Sequence, residues 1–532
     1  MRCPEHTSER VRATLTGVTV AFLLAAATAV AGPPEQARAK LPYDAGVVRF
    51  EVVDESQPFD PLHDIMAHPR ILVGVVYYPI RRGPWSRTPI DMSFYHDPPE
   101  YETYSRLLEW GWLLGLYGWD ANTFLGFYGS SVQEHLATER AGISEGVPIA
   151  RGRFPVVVQF NGSTMRGHQS DDIGGQFARR GYIYVGLDAP GVSNLTSLGR
   201  VDVDSYPMLK DALLPLAPCV AVPGDIPVSC YDAEHAEYGV SDGGPVTNVL
   251  ARETYEVQRA RDAVAMLQQV ERLFPGRADT TRVGVLGVSL GADAAFVAPQ
   301  MIDALRGVRG DRYAAYGVVP VPFLVNAIGL SDWTGHVFGT EIGAILCDGV
   351  PGCDPLEAAR QFDFPLGFHV AEEDWLIIGT PEAPGSEWGE YYFFPGYGPG
   401  LSPPPSPGNR APANRILFES ISRGVPALWV QVPDSGHLNW NSQPSYRWYD
   451  DYQLPPLRLF APGESYEPLS MELQQEILVH YAAAFFDLTL KAKRGSLGAL
   501  KTGRYRHVTP DGRGVTVDAK SLERAMPWCR RR

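Results

Sequence analysis

The chain has 532 residues, of which 45% are hydrophobic and 20% are charged, and this is the composition of a globular protein. With 46 basic and 61 acidic residues, its formal net charge is −15 at pH 7. This charge argues against a nucleic-acid partner, whose phosphates need clustered Lys and Arg, and against electrostatic docking to anionic lipid.

The N-terminus is predicted to be a secretory signal peptide over residues 1–31. Arg2 and Arg10 lie in a positive start, an apolar stretch follows over 15–30, and Ala29-Val30-Ala31 matches an A-x-A cleavage site. The apolar part is too short for a comfortable bilayer span, and no cysteine follows the cleavage site to carry a lipid. We therefore expect a secreted protein, extracellular or periplasmic, without a stable membrane anchor.

A linker is expected over 32–47, and one α/β domain over 48–491. Strand patterns lie at 70–78, 154–160, 182–187, 282–287, 322–330, 365–370 and 426–432. Helical patterns lie at 100–128, 174–180, 253–274, 290–305 and 471–491. The alternation predicts right-handed crossovers and a mostly parallel central sheet with helices on both faces.

Three long stretches interrupt this alternation, near 191–250, 335–362 and 378–412. Loops of this length inside a compact domain are usually functional covers or disordered, so they are interpreted as lid-like insertions over the sheet. Residues 492–532 are interpreted as a C-terminal extension.

The cysteines suit an oxidising compartment. Cys219 and Cys230 are close in sequence, as are Cys347 and Cys353, so these two local pairs are the simplest predicted disulfides. Cys529 is left over. No Cys/His spacing resembles a zinc site, and we expect no metal.

The strongest local motif is Gly287-Val288-Ser289-Leu290-Gly291, a G-x-S-x-G. A β-rich segment precedes it and a helix-forming run follows, which is the context of a nucleophile elbow. Side chains two residues either side of the serine would collide with the neighbouring strand and helix, which explains the glycines. Ser289 is therefore the predicted nucleophile.

A serine hydroxyl needs a base to accept its proton. His437 is the favoured candidate because it follows the strand expected over 426–432, at the carboxyl edge where ligands bind in open α/β sheets. His369 falls within a strand and His480 within the last helix, so both are interpreted as structural. His168 remains a weaker rival.

The acid that orients this histidine is predicted to be Asp374, which follows the strand before the histidine loop. Glu372 and Glu373 are neighbours that could substitute for it. Asp332, which follows the preceding predicted strand, is a competitor.

An oxyanion hole needs two backbone donors beside the developing negative charge. One is predicted to be the N–H of Leu290, directly after the nucleophile. The other is expected from the loop 161–164 after the first long apolar strand, and Ser163 is favoured.

Several segments in order resemble the platelet-activating factor acetylhydrolase-like esterases. The segments are HPRILVGVVYYPI, FPVVVQFNGS, RRGYIYVGLDAPG and GVSLG. The resemblance covers roughly 48–190 and 253–490, and secreted bacterial polyester and lipid esterases are similar over the same stretch. It implies the α/β-hydrolase fold, ester hydrolysis and no cofactor.

The chain also departs from that family. Asn161 stands where the family usually has histidine. Some members carry the acid after the strand that precedes Asp332. Aligning the family's tryptophan with Trp333 places Ser331, and not Asp332, at the acid position, which favours Asp374.

The sequence thus predicts a secreted serine hydrolase that cleaves lipid, acyl-alcohol or polyester substrates, small or polymeric, through an acyl-enzyme. An amidase or peptidase of the same fold is the first alternative, and a non-catalytic binding protein on this scaffold is the second. The oligomeric state is left open.

Overall fold

The computed structural model describes residues 41–58, 69–83, 143–162, 171–188, 249–307, 311–320, 362–372, 415, 418–435, 469–501 and 504–525. The expected signal peptide, the helix expected over 100–128, the strand expected over 322–330 and all six cysteines lie outside these residues. So do the three expected insertions, apart from Val249, Leu250 and Phe362.

The described strands form one ten-stranded sheet with the order β10-β9-β8-β7-β6-β4-β5-β2-β1-β3. The strands are β1 (Asp44–Pro58), β2 (Pro69–Ile80), β3 (Ser144–Glu145), β4 (Phe154–Phe160), β5 (Ile183–Asp188), β6 (Ala278–Val288), β7 (Arg312–Val318), β8 (Leu366–Ala371), β9 (Ala427–Val432) and β10 (Thr516–Lys520). The six strands from β5 across to β9 pair in parallel. Antiparallel pairs add β2 and β1 at one side and β10 at the other.

Helices cover both faces of this sheet. They are α1 (Asp171–Arg179), α2 (Val249–Leu273), α3 (Leu290–Arg306), α4 (Met471–Thr489) and the short α5 (Gly495–Lys501). Residues of α2 and α3 pack in one hydrophobic core, and residues of α1 and α4 pack in the other. None of the helices in the described part of the chain has the length and apolarity that a bilayer span requires.

The alternating valines of β4 show how the sequence produces this layering. All seven residues of the strand are buried. Val156 and Val158 enter the core under α2 and α3, while Val157 enters the core under α1 and α4. A strand buried on both faces has to be apolar throughout. The predicted fold class, a mostly parallel central sheet with helices on both faces, is confirmed.

The sequence analysis missed the strand after α3, which is β7, Arg312–Val318. The strand predicted over 322–330 lies outside the described residues. β7 has weak β propensity but is buried between β6 and β8. At the N-terminal side, β1 begins at Asp44, inside the range 32–47 that was expected to be a linker. At the C-terminal side, β10 lies inside the expected extension 492–532 and pairs with β9.

The parallel strands end in register at one edge of the sheet. Gly287 near the end of β6 pairs with Phe160 at the end of β4. Val318 at the end of β7 pairs with His369, and Ala371 at the end of β8 pairs with Val432 at the end of β9. The segments that follow these strands therefore start side by side at the carboxyl edge.

Candidate active site at the carboxyl edge of the sheet

Ser289 has a strained backbone at the turn from β6 into α3. Its φ is 55° and its ψ is −127°, a conformation that residues other than glycine rarely adopt. Its N–H donates to the carbonyl of Val318 at 2.9 Å, and its own carbonyl accepts from the N–H of Ala292 at 2.7 Å. Strain of this kind costs about 1–3 kcal/mol and persists only where the surroundings impose it.

The two glycines of the motif allow this turn to be sharp. A Cβ on Gly287 would lie 1.9 Å from the carbonyl oxygen of Gly291. A Cβ on Gly291 would lie 2.2 Å from the carbonyl oxygen of Phe160, at the end of β4. Neither position can hold a larger residue without backbone movement. The predicted strand–turn–helix context of the motif is confirmed, and with the sheet order it gives the α/β-hydrolase fold.

The turn places Ser289 at the N-terminus of α3. The side chain is partly exposed, and α3 begins at the next residue, Leu290. The first N–H groups of a helix have no acceptor within the helix, and they form its positive end. The N–H of Leu290 is thus available by position to a negative charge that develops beside Ser289.

The second expected oxyanion donor, Ser163, lies outside the described residues, but the strand end that leads to it is fixed. Asn161 is buried, its side-chain amide donates to the carbonyl of Leu187, and its Oδ1 accepts from Gln159 at 2.7 Å. Gln159 in turn accepts from the hydroxyl of Tyr184 at 2.5 Å. These bonds tie the Asn161 side chain to β4 and to β5, and its carbonyl oxygen lies beside Gly291 in the first turn of α3.

Asp374 and His437 also lie outside the described residues, each two residues beyond a described one. Glu372 directly follows β8, and its N–H donates to the carbonyl of Val432 at 3.0 Å. After β9, Ser435 is buried, and its hydroxyl donates to the same carbonyl at 2.7 Å. The segments that lead to the predicted acid and base therefore leave adjacent strands and are bonded to one carbonyl.

The described strands bear differently on the two competing acids. β8 ends at Ala371, three residues before Asp374. The strand predicted over 322–330, on which the case for Asp332 depends, lies outside the described residues. Asp332 itself lies outside the described residues.

Glu372, an alternative acid, has a different partner. Its carboxylate accepts from Arg513 at 2.5 Å. Burial raises the pKa of Glu372, and the Arg513 guanidinium together with the N–H of Asp434 counteracts part of that rise. This ion pair points to a structural use. Glu373, the other alternative, lies outside the described residues.

Two rival histidines lie inside elements, as the sequence predicted. His369 is fully buried in β8, its Nδ1 is 3.0 Å from the hydroxyl of Tyr316, and burial lowers its pKa to about 3. His480 is in α4, where burial and Arg504 lower its pKa to about 4. His168, the third rival, lies outside the described residues.

Arg513 is the residue near this edge that the sequence did not indicate. It comes from the C-terminal extension, 141 residues after Glu372, and pairs with both Glu372 and Asp434. No motif or periodicity in the sequence connects positions so far apart. Within the described residues, no group of three or more His, Cys, Asp or Glu side chains is arranged to hold a metal ion.

No protein-family model matches the chain, and no curated protein matches it. Among solved structures, the chain is similar to a ferulic acid esterase from Streptomyces cinnamoneus, with 18% sequence identity and a TM-score of 0.48. The match covers 92% of this chain and 98% of the esterase. A likeness at this level carries no inference about activity.

Proposed function

We propose that this chain is a secreted serine hydrolase that cleaves carboxylic esters through an acyl-enzyme. The observation that carries the proposal is the conformation of Ser289. A non-glycine residue with φ 55° is held between β6 and α3 by two glycines at which a larger residue would require backbone movement, at the edge where β8 and β9 also end. A serine that only packed in a strand–helix turn would not need this strained geometry.

In the proposed reaction, Ser289 attacks the ester carbonyl carbon and His437 accepts its proton. Asp374 keeps the imidazole in the required tautomer and stabilises its protonated form. The N–H groups of Leu290 and Ser163 stabilise the oxyanion, and loss of one such donor typically lowers turnover by about 10²–10³-fold. The intermediate collapses as His437 donates its proton to the leaving alcohol. Water then attacks the acyl-enzyme with His437 again as base, which releases the acid and restores the serine.

The position of α3 supports this chemistry. The oxyanion forms beside the N-terminus of a helix, where unpaired N–H groups and the positive end of the helix dipole both favour negative charge. The helix is rigid because its inner face is buried, including Ala292, Ala294 and Ala295. Donors fixed before the reaction need no reorganisation when charge develops.

The choice of esters over amides rests on the resemblance of the sequence segments to secreted esterases, and not on the described geometry. The substrate is accordingly proposed as a small-molecule or polymeric ester of the lipid, acyl-alcohol or polyester type. The signal-peptide pattern supports export, and no cofactor takes part.

A fluorophosphonate probe tests the nucleophile directly, because it phosphonylates an activated serine. The wild-type protein should be labelled, and Ser289→Ala should lose the label and at least about 10³-fold in ester hydrolysis. Ser56→Ala is the matched control. Ser56 is an exposed serine on β1 that bonds to Asp54, so its removal should change neither signal.

The same preparation separates the alternatives. Short p-nitrophenyl esters should be hydrolysed far faster than the matching anilides, and the reverse order would favour an amidase or peptidase. Wild-type protein that is folded but neither labelled nor active would overturn the proposal and favour a binding protein.

A further inference from the structure

The C-terminal extension places one arginine across the ends of two parallel strands. The guanidinium of Arg513 donates to the carboxylate of Glu372, after β8, and to that of Asp434, after β9, each at 2.5 Å. The two acidic side chains are only 8% and 11% exposed, whereas that of Arg513 is 44% exposed. The partly exposed guanidinium of Arg513 thus bridges two carboxylates that are largely buried.

The arginine is held in this position by its own turn. The carboxylate of Asp511 accepts from Nε of Arg513 at 2.8 Å, and the hydroxyl of Thr509 accepts from its N–H at 2.8 Å. The carbonyl of Arg513 accepts from the N–H of Val508 at 2.8 Å. Three residues later, β10 begins and pairs with β9 at Gln431. The bonds within this turn therefore orient the planar guanidinium toward the ends of β8 and β9.

The two strand ends are also joined to each other. The carboxylate of Glu372 accepts from the N–H of Asp434, and the N–H of Glu372 donates to the carbonyl of Val432. Asp434 has φ 48°, and its carbonyl accepts from the N–H of Leu469 at 2.8 Å. Without the arginine, two poorly solvated carboxylates would face each other and repel, and this connection would open.

We propose that Arg513 is a positioning residue that fixes the segments carrying the acid and the base. The inference rests on the proposed function, because its meaning depends on Asp374 and His437 acting on Ser289. Glu372 is two residues before Asp374 and Asp434 is three residues before His437, so the arginine fixes the described starts of both segments.

This role predicts a defined kinetic pattern for Arg513→Ala. Loss of the bridge releases the ends of β8 and β9 from each other, so the proposed base is displaced relative to Ser289 and turnover should change more than substrate binding. We expect kcat for a p-nitrophenyl ester to fall by about 10–100-fold, the range expected for misplacement by about 1 Å, with KM within about twofold of wild type. The fluorophosphonate labelling rate should fall in parallel.

Rescue separates positioning from a general loss of structure. Because the Arg513 side chain is half exposed, guanidinium ion at millimolar concentration can enter the space left by the truncation. It should restore part of kcat in Arg513→Ala, whereas the same concentration of sodium chloride should not. Arg513→Lys should lose less kcat than Arg513→Ala but should not reach the wild-type value. An ammonium is a point charge and cannot bridge two carboxylates as the planar guanidinium does.

Arg504→Ala is the matched control. Arg504 lies in the same extension, is 55% exposed and pairs with Glu476 of α4 at 2.8 Å, and not with Glu372 or Asp434. It removes the same charge and should leave kcat unchanged.

The outcomes distinguish the two proposals. An inactive, unlabelled wild type overturns the proposed function and this inference with it. An active wild type with a dead Ser289→Ala, together with Arg513→Ala at wild-type kcat, overturns the inference alone. The inference is also overturned if the loss of kcat in Arg513→Ala accompanies a lowered thermal midpoint and is not rescued by guanidinium. Arg513→Lys, which keeps the positive charge, is then measured in the same way as a check.

Discussion

Replacing Gly291 with alanine should disable Ser289 while the protein stays folded. The new Cβ would lie 2.2 Å from the carbonyl oxygen of Phe160 and 2.4 Å from that of Asn161. Real Cβ atoms essentially never approach another heavy atom within 3.0 Å. The first turn of α3 and the end of β4 must therefore separate by at least 0.8 Å, the difference between 2.2 and 3.0 Å.

Neither element can make this movement freely. β4 is hydrogen-bonded to strands on both sides, and α3 is buried along its inner face. Inserting one methyl group into such a contact typically costs about 1–3 kcal/mol. Total stabilities are about 5–15 kcal/mol, so the variant should remain folded. A misplacement of about 1 Å at the reacting oxygen can cost about 10²-fold in rate, and we expect at least that loss.

The assay compares fluorophosphonate labelling rate and ester kcat/KM with the midpoint of urea unfolding for each variant. Gly498→Ala is the matched control, because Gly498 lies inside α5 and its Cβ would meet nothing within 4 Å. Alanine there should raise stability by about 0.5–1 kcal/mol and leave labelling unchanged. Wild-type labelling in Gly291→Ala would refute the argument that this close approach sets the turn.

Two further predictions concern the scaffold. Asp262→Ala should lower the unfolding free energy by about 3–5 kcal/mol in urea titrations, because Arg70 and Asp262 form a bidentate pair in which both side chains are 1% exposed. An effect below about 1 kcal/mol would contradict this. Burial lowers the pKa of His369 to about 3 in the folded protein, compared with 6.5 in the unfolded chain. Below pH 6.5 the unfolded chain therefore binds a proton that the folded protein does not. The free energy of unfolding should therefore fall on acidification by up to about 1.4 kcal/mol per pH unit. Between pH 7 and pH 5, the urea midpoint should fall less in His369→Asn than in wild type. An equal fall in the two proteins would contradict this prediction.

The elements that could be predicted from the sequence are those whose local pattern agrees with their burial. β4 matches its prediction at both ends because Phe154–Phe160 is apolar throughout, as a strand buried on both faces must be. The elbow could be predicted because the need for two glycines is a local steric fact.

β7 could not be predicted because its place in the sheet, and not its composition, makes it a strand. Its sequence RYAAYGV contains two alanines and a glycine, which have weak β propensity. The glycine is required by a neighbour from another element, since a Cβ on Gly317 would lie 2.5 Å from the ring of Phe296 in α3. The strand predicted in this part of the chain was the more apolar stretch 322–330, which lies outside the described residues.

The bridge between Arg513 and the ends of β8 and β9 illustrates the same limit for the site. Sequence motifs identify residues that act through local geometry, such as Ser289. They give no sign of a side chain whose role is set by the antiparallel pairing of β10 with β9. A turn rich in Asp, Gly and Arg is typical of a solvated loop, and its contact with β8 and β9 becomes visible only when the pairing of β10 is known.

Two costly features of this chain lie at the carboxyl edge of the sheet, and they give a physical reason to locate function there. Ser289 keeps a conformation that glycine would adopt without strain, yet the chain has a hydroxyl there. Glu372 follows β8, two strands from β6, and Asp434 follows β9, three strands from β6. Both carboxylates are largely buried, although apolar residues of similar size would remove the need for a cation. Selection for stability alone would eliminate both features. Their occurrence at the same edge of one sheet, held by the β ladder, by close glycine contacts and by one arginine, is expected where strain and buried charge serve chemistry.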